Sequence, residues 1–249
     1  MGALKDKNVV VVGGSRGVGR IIVEAAIAEG ACVLAVARGQ EALAQLSREV
    51  PEAATLVCDA TEEGAPAVVF AALQPDVLVV CAGAIPPSTP VQEQSWIEFS
   101  VNWEADVKAS FLFCKAALLQ PLAPGALVIL ISSGAGLGGS PISGGYAGSK
   151  RMQMFLAGYT QKESDRLALG LRFLALAPGG IMPDTGVGDA AVAGYSRYLG
   201  ISASDFVRRR ADPPSPEDVA RAVIGFADAS RTADGAAFVV TGSGVAPLR

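Results

Sequence analysis

Short apolar runs punctuate this chain, each bounded by glycine, proline or charge. They fall at Asn8–Val12, Cys32–Ala37, Thr55–Cys58, Asp76–Cys81, Ala126–Ile131, Leu169–Ala177 and Ala236–Val240. Runs of this length that are hydrophobic throughout, and do not alternate with polar residues, predict strands buried on both faces. Between them the spacing of apolar positions changes to that of a helix, over Arg20–Glu29, Gln40–Glu49, Glu62–Leu73, Ser95–Gln120, Tyr146–Asp165 and Pro216–Ala229. Pro66 has to lie in the first turn of its helix, and Ser215 is placed to cap the last one. Strand and helix in regular alternation predict an α/β fold: a single domain spanning residues 1–249, with a doubly wound, mainly parallel seven-stranded sheet and helices on both faces.

Two stretches depart from the simple pattern. Trp96, Phe99, Trp103, Val107, Phe111 and Leu118 are spaced to form a buried stripe, yet Asn102 lies within that helix, where alanine would serve better. Asn102 is therefore either a surface or kinked position or a carbonyl aimed inward. Ile181 to Pro214 is long and rich in small residues, and a segment of that length in a compact domain reads as a substrate lid.

Composition narrows the chemistry. Half of the 249 residues (51%) are hydrophobic, enough for a sizeable core, and the net charge is −4. The one basic cluster, Arg208 to Arg210, is either solvated or a carboxylate clamp, and solvation is favoured. A nucleic-acid partner is not expected without concentrated positive charge. Histidine is absent, which excludes a Ser-His-Asp hydrolase, a Cys-His pair and a histidine-bearing zinc site, and no metal is expected. Cys32, Cys58, Cys81 and Cys114 form no C-x-x-C, and three of them lie in or at the end of apolar runs, where a cysteine is usually an inert core residue; a reduced compartment is favoured. No apolar stretch reaches the roughly 20 residues of a membrane span, and the polar MGALKDKN start is not a secretory signal. The expectation is a cytoplasmic protein with no membrane partner.

The turn after the first strand reads GGSRGVG. Gly13, Gly17 and Gly19, with Ser15, Arg16 and Val18 between them, lead directly into a helix. Glycines there let the backbone approach a pyrophosphate, and the helix N-terminus offers amides to the negative charge. The second strand then ends Ala37-Arg38. An acidic residue at that point would bond the ribose 2′-hydroxyl of NAD, whereas an arginine suits the 2′-phosphate of NADP. Arg38, with Arg16 able to approach the same pocket, favours NADP(H) over NAD(H) through charge-assisted bonds.

Ser132 to Lys150 reads SSGAGLGGSPISGGYAGSK. If a helix has begun by Tyr146, Tyr146 and Lys150 share one face, because residues four apart are neighbours on a helix. An ammonium beside a phenol favours proton exchange at neutral pH.

Together GGSRGVG, Asp59, Ala82-Gly83, Asn102, Ser133, Tyr146, Lys150 and Pro178-Gly179 resemble the short-chain dehydrogenase/reductase family over essentially the whole chain, including the 13-residue step from Ser133 to Tyr146. The resemblance implies a Rossmann fold and an NADP(H)-dependent oxidoreductase interconverting a small-molecule carbonyl compound and an alcohol. Tyr146 would be the general acid or base, and Ser133 would bond the substrate oxygen. Lys150 would assist the phenol and hold the nicotinamide ribose, while Asn102 would position a water of a proton relay. Gly13 to Gly19, Arg38, Asp59, Ala82, Gly83, Pro178 and Gly179 would line the cofactor, with Asp59 on the adenine. The family usually has Thr where Gly13 stands and Asn-Asn where Val80-Cys81 stand, and its threonine after Pro-Gly is here displaced or replaced, Thr185 being the nearest candidate. The resemblance also implies a homotetramer or homodimer. A catalytically silent NADP-binding scaffold or sensor is the alternative, and a methyltransferase would share only the glycine turn.

Overall fold

The computed structural model describes residues 2–209, 213–228 and 236–248. The end of the last predicted helix at Ala229 and one member of the arginine cluster, Arg210, lie outside the described residues. The strands are β1 (Asn8–Val12), β2 (Cys32–Ala37), β3 (Ala54–Val57), β4 (Val77–Val80), β5 (Leu127–Ile131), β6 (Arg172–Pro178), β7 (Ala237–Thr241) and β8 (Gly244–Pro247). They form one sheet in the order β3-β2-β1-β4-β5-β6-β7-β8. All neighbours are parallel except β7 and β8.

The sheet therefore has eight strands where seven were expected. The extra strand follows the two-residue turn Gly242-Ser243, a hairpin signal of the Gly-X type. Thr241 pairs with Gly244 across it. Because β8 is exposed along its length, it lacks the apolar run that marks the buried strands.

Residue alternation within β1 divides the core. Val9 and Val11 pack with Ile22, Val23 and Val223 on one face, while Val10 and Val12 pack with Val69, Phe113 and Ala157 on the other. The first layer carries α1 (Gly17–Ala28), α2 (Gln40–Glu49) and α10 (Pro216–Ala227). The second carries α3 (Ala65–Ala72), α4 (Trp96–Asn102), α5 (Lys108–Leu119) and α7 (Gly145–Arg166). Ser215 does cap α10, accepting from the Asp218 amide, while the Asp218 carboxylate accepts from the Ser215 amide.

The predicted helix over Ser95–Gln120 is not uniform. A π-helical turn, Trp103–Val107, joins α4 to α5, and such turns are rare and concentrate at functional sites. Nor is the aromatic stripe buried. Trp96 (75% exposed), Trp103 (40%) and Phe111 (47%) face outward, as do Phe155 and Tyr159 of α7. The inward face is made by Asn102, Asp106, Ala109, Ser110, Phe113 and Ala117. Large apolar residues satisfy a helical stripe equally well on either side of a helix, and small ones fill the narrow gap to α7.

The predicted lid is mostly helical: α8 (Gly186–Leu199) and α9 (Ala203–Arg208) occupy it. Thr185 caps α8 by accepting from the Gly188 amide, and Gly200 ends it in the left-handed conformation. Among the cysteines Cys114 is buried, but Cys32 at the head of β2 is exposed. No described helix is long and apolar enough to cross a membrane.

Candidate active site

A cavity of about 930 Å³ opens at the C-terminal ends of the strands, where the order reverses between β1 and β4. Every candidate catalytic or cofactor-binding residue of the sequence lines it except Asn102.

At one end β1 delivers the glycine turn. Gly17 has φ +52 and a side chain there would meet nothing, so its position faces the open cavity. A side chain at Gly19 would collide with the Gly13 carbonyl at 2.1 Å, so only glycine lets α1 start this close to the strand. No acidic residue lies in the first turn of α1. The free amides and dipole of its N-terminus are thus available to a phosphate.

Arg38 and Asp59 border the same end. Arg38 is 65% exposed and its Nη1 lies 3.6 Å from Asp59 Oδ2. Burial raises the Asp59 pKa, but the Thr61 amide and hydroxyl, followed by Arg38, outweigh it and hold the carboxyl below its ordinary range. Arg38 thus reaches over a carboxylate and remains largely solvated.

At the other end stand Ser133, Tyr146 and Lys150. Ser133 leaves β5 in a turn fixed by the Gly134 amide, which donates to the Pro178 carbonyl at 2.7 Å. This brings the catalytic serine candidate beside Pro178-Gly179. A short helix, α6 (Ala135–Gly138), follows, and Ser133 Oγ accepts from the Ala135 amide. Tyr146 and Lys150 do share a face of α7, with Lys150 Nζ 5.5 Å from the phenol ring centroid. Lys150 is 6% exposed and donates to the Ile131 carbonyl at 3.1 Å.

Its other partner was not foreseen. Asp106, on the π-helical turn and 1% exposed, places Oδ2 2.9 Å from Lys150 Nζ. Asn102 bonds elsewhere: its Nδ2 donates to the Ala84 carbonyl (2.7 Å) and to Asp106 Oδ1 (3.2 Å). Asn102 Oδ1 is a buried acceptor with no partner, which suits a water or ligand donor. The sequence held one signal for Asp106: a carboxylate four residues after Asn102, on a helix whose inward positions are otherwise small or apolar.

Thr185 has its hydroxyl engaged, donating to the Met182 carbonyl and accepting from Gly188. The helix α8 also lines the cavity; its Tyr195 donates to Ser140 Oγ at 2.6 Å and stacks on Phe206. Arg208 pairs with Asp205 of its own helix, exposed and away from the cavity lining. Among the described residues no cluster of His, Cys, Asp or Glu could hold a metal.

The family model for short chain dehydrogenases matches residues 7–191. The chain belongs to the short-chain dehydrogenase family. This short-chain dehydrogenase is 30% identical to a 3beta-hydroxysteroid dehydrogenase of Mediterraneibacter gnavus, over 72% of this chain and 68% of that one. It is 32% identical to a 2,5-dichloro-2,5-cyclohexadiene-1,4-diol dehydrogenase of Sphingobium indicum, over 73% and 75%. With an NADPH-dependent pterin aldehyde reductase of Arabidopsis thaliana it shares 28% identity over 70% and 74%. Its fold matches a crystal structure titled ribose-5-phosphate isomerase from Brucella melitensis, with a TM-score of 0.78 and 23% identity over 94% of this chain and 91% of that one. Membership makes the protein an oxidoreductase of the nicotinamide-nucleotide type. The glycine turn, the open space before Gly17 and the unopposed helix N-terminus fit such a cofactor.

Proposed function

We propose that this enzyme interconverts a neutral carbonyl compound and its alcohol with NADP(H), using Tyr146 as general acid and base. The observation that carries the reading is the convergence of Ser133, Tyr146 and Lys150 on the end of the cavity that Pro178-Gly179 borders. The cofactor would supply or accept the hydride. Gly13 to Gly19 would take its pyrophosphate, Ala82 and Gly83 its ribose side, and Asp59 its adenine. Ser133 would hold the substrate oxygen and Tyr146 would give or take its proton.

NADP is favoured by Arg38 and Arg16, which leave the adenine-ribose end without a carboxylate where β2 stops. The NADPH dependence in the pterin reductase's name agrees with this preference. The substrate end is lined by Ile85, Pro86, Ile142, Met182, Val187 and Tyr195. Asp184 contributes a negative charge there, so a neutral, apolar substrate fits better than an acid. The exposed aromatics of α4, α5 and α7 support a homo-oligomer, because large apolar surfaces are rarely left in water.

The test is Tyr146→Phe. Turnover with a panel of ketones and alcohols should fall at least about a thousandfold, while NADPH binding, followed by fluorescence, stays within about threefold. Retained turnover overturns the role of Tyr146. Binding of NADPH by the wild type with no turnover of any substrate in the panel would favour a silent scaffold instead.

A further inference from the structure

Lys150 is an ammonium buried almost completely, and an ammonium has three donors to place. The structure shows where two of them go, to the Ile131 carbonyl and to Asp106 Oδ2. Lys150 also lines the cavity, and its third donor has no partner among the described residues.

The carboxylate is itself held from several sides. Asp106 Oδ1 accepts from the Ala84 amide at 2.9 Å and from Asn102 Nδ2 at 3.2 Å. A Cβ on Gly83 would lie 2.7 to 2.8 Å from the carboxylate atoms, so only glycine at that position admits Asp106 here. Asn102 in turn is anchored on the Ala84 carbonyl. The segment after β4 and the π-helical turn thus form a seat for one carboxylate, aimed at one lysine.

We propose that Asp106 is a positioning residue for the reaction, its carboxylate keeping Lys150 charged and aimed at the cavity. The inference rests on the reading of Lys150 as part of the reacting site. A buried lysine without a counter-charge loses its proton readily, with values near 5 to 6 documented, whereas a close carboxylate reverses the shift. Burial is the largest influence on Lys150 and lowers its pKa. The Asp106 charge, the ionised form of Tyr146 and the hydrogen bond from Asp106 raise it, and the net direction is upward.

The titratable groups that face Lys150 among the described residues are Asp106 from the α4–α5 helix, Tyr146 from α7 itself and Cys81 from the end of β4. Burial pushes the Cys81 thiol up to about 11, so at neutral pH it is uncharged. Asp106 is the group in direct ion-pair contact with Lys150, at 2.9 Å.

The chain has six lysines, so the side-chain carbon resonances of lysine-labelled full-length protein can be resolved and Lys150 assigned by its loss in Lys150→Met. In the wild type Lys150 should titrate at or above the exposed lysines. In Asp106→Asn, which keeps the shape of the side chain, its midpoint should fall by about two units or more. The alkaline loss of turnover should move to lower pH with it. An unchanged Lys150 midpoint in Asp106→Asn overturns the proposal. So does a wild-type Lys150 that titrates below the exposed lysines, an arm that does not depend on the variant's folding. The titration needs no substrate, so it stands apart from the Tyr146→Phe test. Failure of the catalytic reading would show as turnover in Tyr146→Phe with the Lys150 shift intact.

Discussion

The two ends of the cavity each carry a cation facing a carboxylate, and they use the pair in opposite ways. At the end formed by β2 and the glycine turn Arg38 and Asp59 stand 3.6 Å apart with side chains 65% and 33% exposed. At the end that holds Ser133 and Tyr146, Lys150 and Asp106 stand 2.9 Å apart with 8% and 1% exposed. Solvent screens the first pair, so Arg38 is free to leave Asp59 for a phosphate at little cost. Nothing screens the second, and neither partner can be removed without stranding the other's charge in the core. The wet pair suits a charge that is to meet a ligand, and the dry pair suits one that is to hold a geometry.

The largest effect expected on this contrast is on stability. Asp106→Ala should destabilise the fold by about 3 to 5 kcal/mol in urea unfolding, and much of that loss should return in the Asp106→Ala/Lys150→Met double variant, which buries no lone charge. If Asp106→Ala unfolds like the wild type, the contrast fails. The sign of the pH dependence follows from Lys150, whose pKa is raised in the folded protein. Its contribution is therefore present in full below the unfolded lysine value of about 10.4 and is lost as pH rises through the folded value.

A smaller effect, on binding alone, is expected at the wet end. Arg38→Ala should weaken NADPH by about tenfold or more and NADH by less than about threefold in a titration, with the unfolding midpoint unmoved. Equal weakening of both would mean that Arg38 does not read the phosphate. The smallest effect belongs to Arg208, whose pairing with Asp205 is exposed and remote from the cavity. Arg208→Ala should leave turnover unchanged and the melting temperature within about 2 °C. A rise in KM would restore the carboxylate-clamp reading.

Much of this was legible in the chain. The valine-rich runs that became β1, β2, β4 and β5 are hydrophobic on both faces because both faces are covered, and a local pattern reports that directly. GGSRGVG marked the turn because Gly19 cannot carry a side chain against Gly13. Tyr146 and Lys150 were paired by helical spacing alone. The aromatic stripe was misjudged, since periodicity gives the face of a helix but not which side the sheet lies on. The lid helices α8 and α9 were obscured by small residues with little amphipathic contrast. The strand β8 was obscured because it is exposed on the sheet edge.

The sequence by itself determined the alternation of strand and helix, the glycine turn, the absence of histidine chemistry and the Tyr-x-x-x-Lys pair, all of which depend on residues close together along the chain. Only the tertiary structure decided that Lys150 faces Asp106 and not Asn102. That contact joins α7 to a π-helical turn through the space that Gly83 leaves open. Spacing along one helix cannot reveal which carboxylate a neighbouring element will present, because that depends on how closely two backbones approach across the end of the sheet.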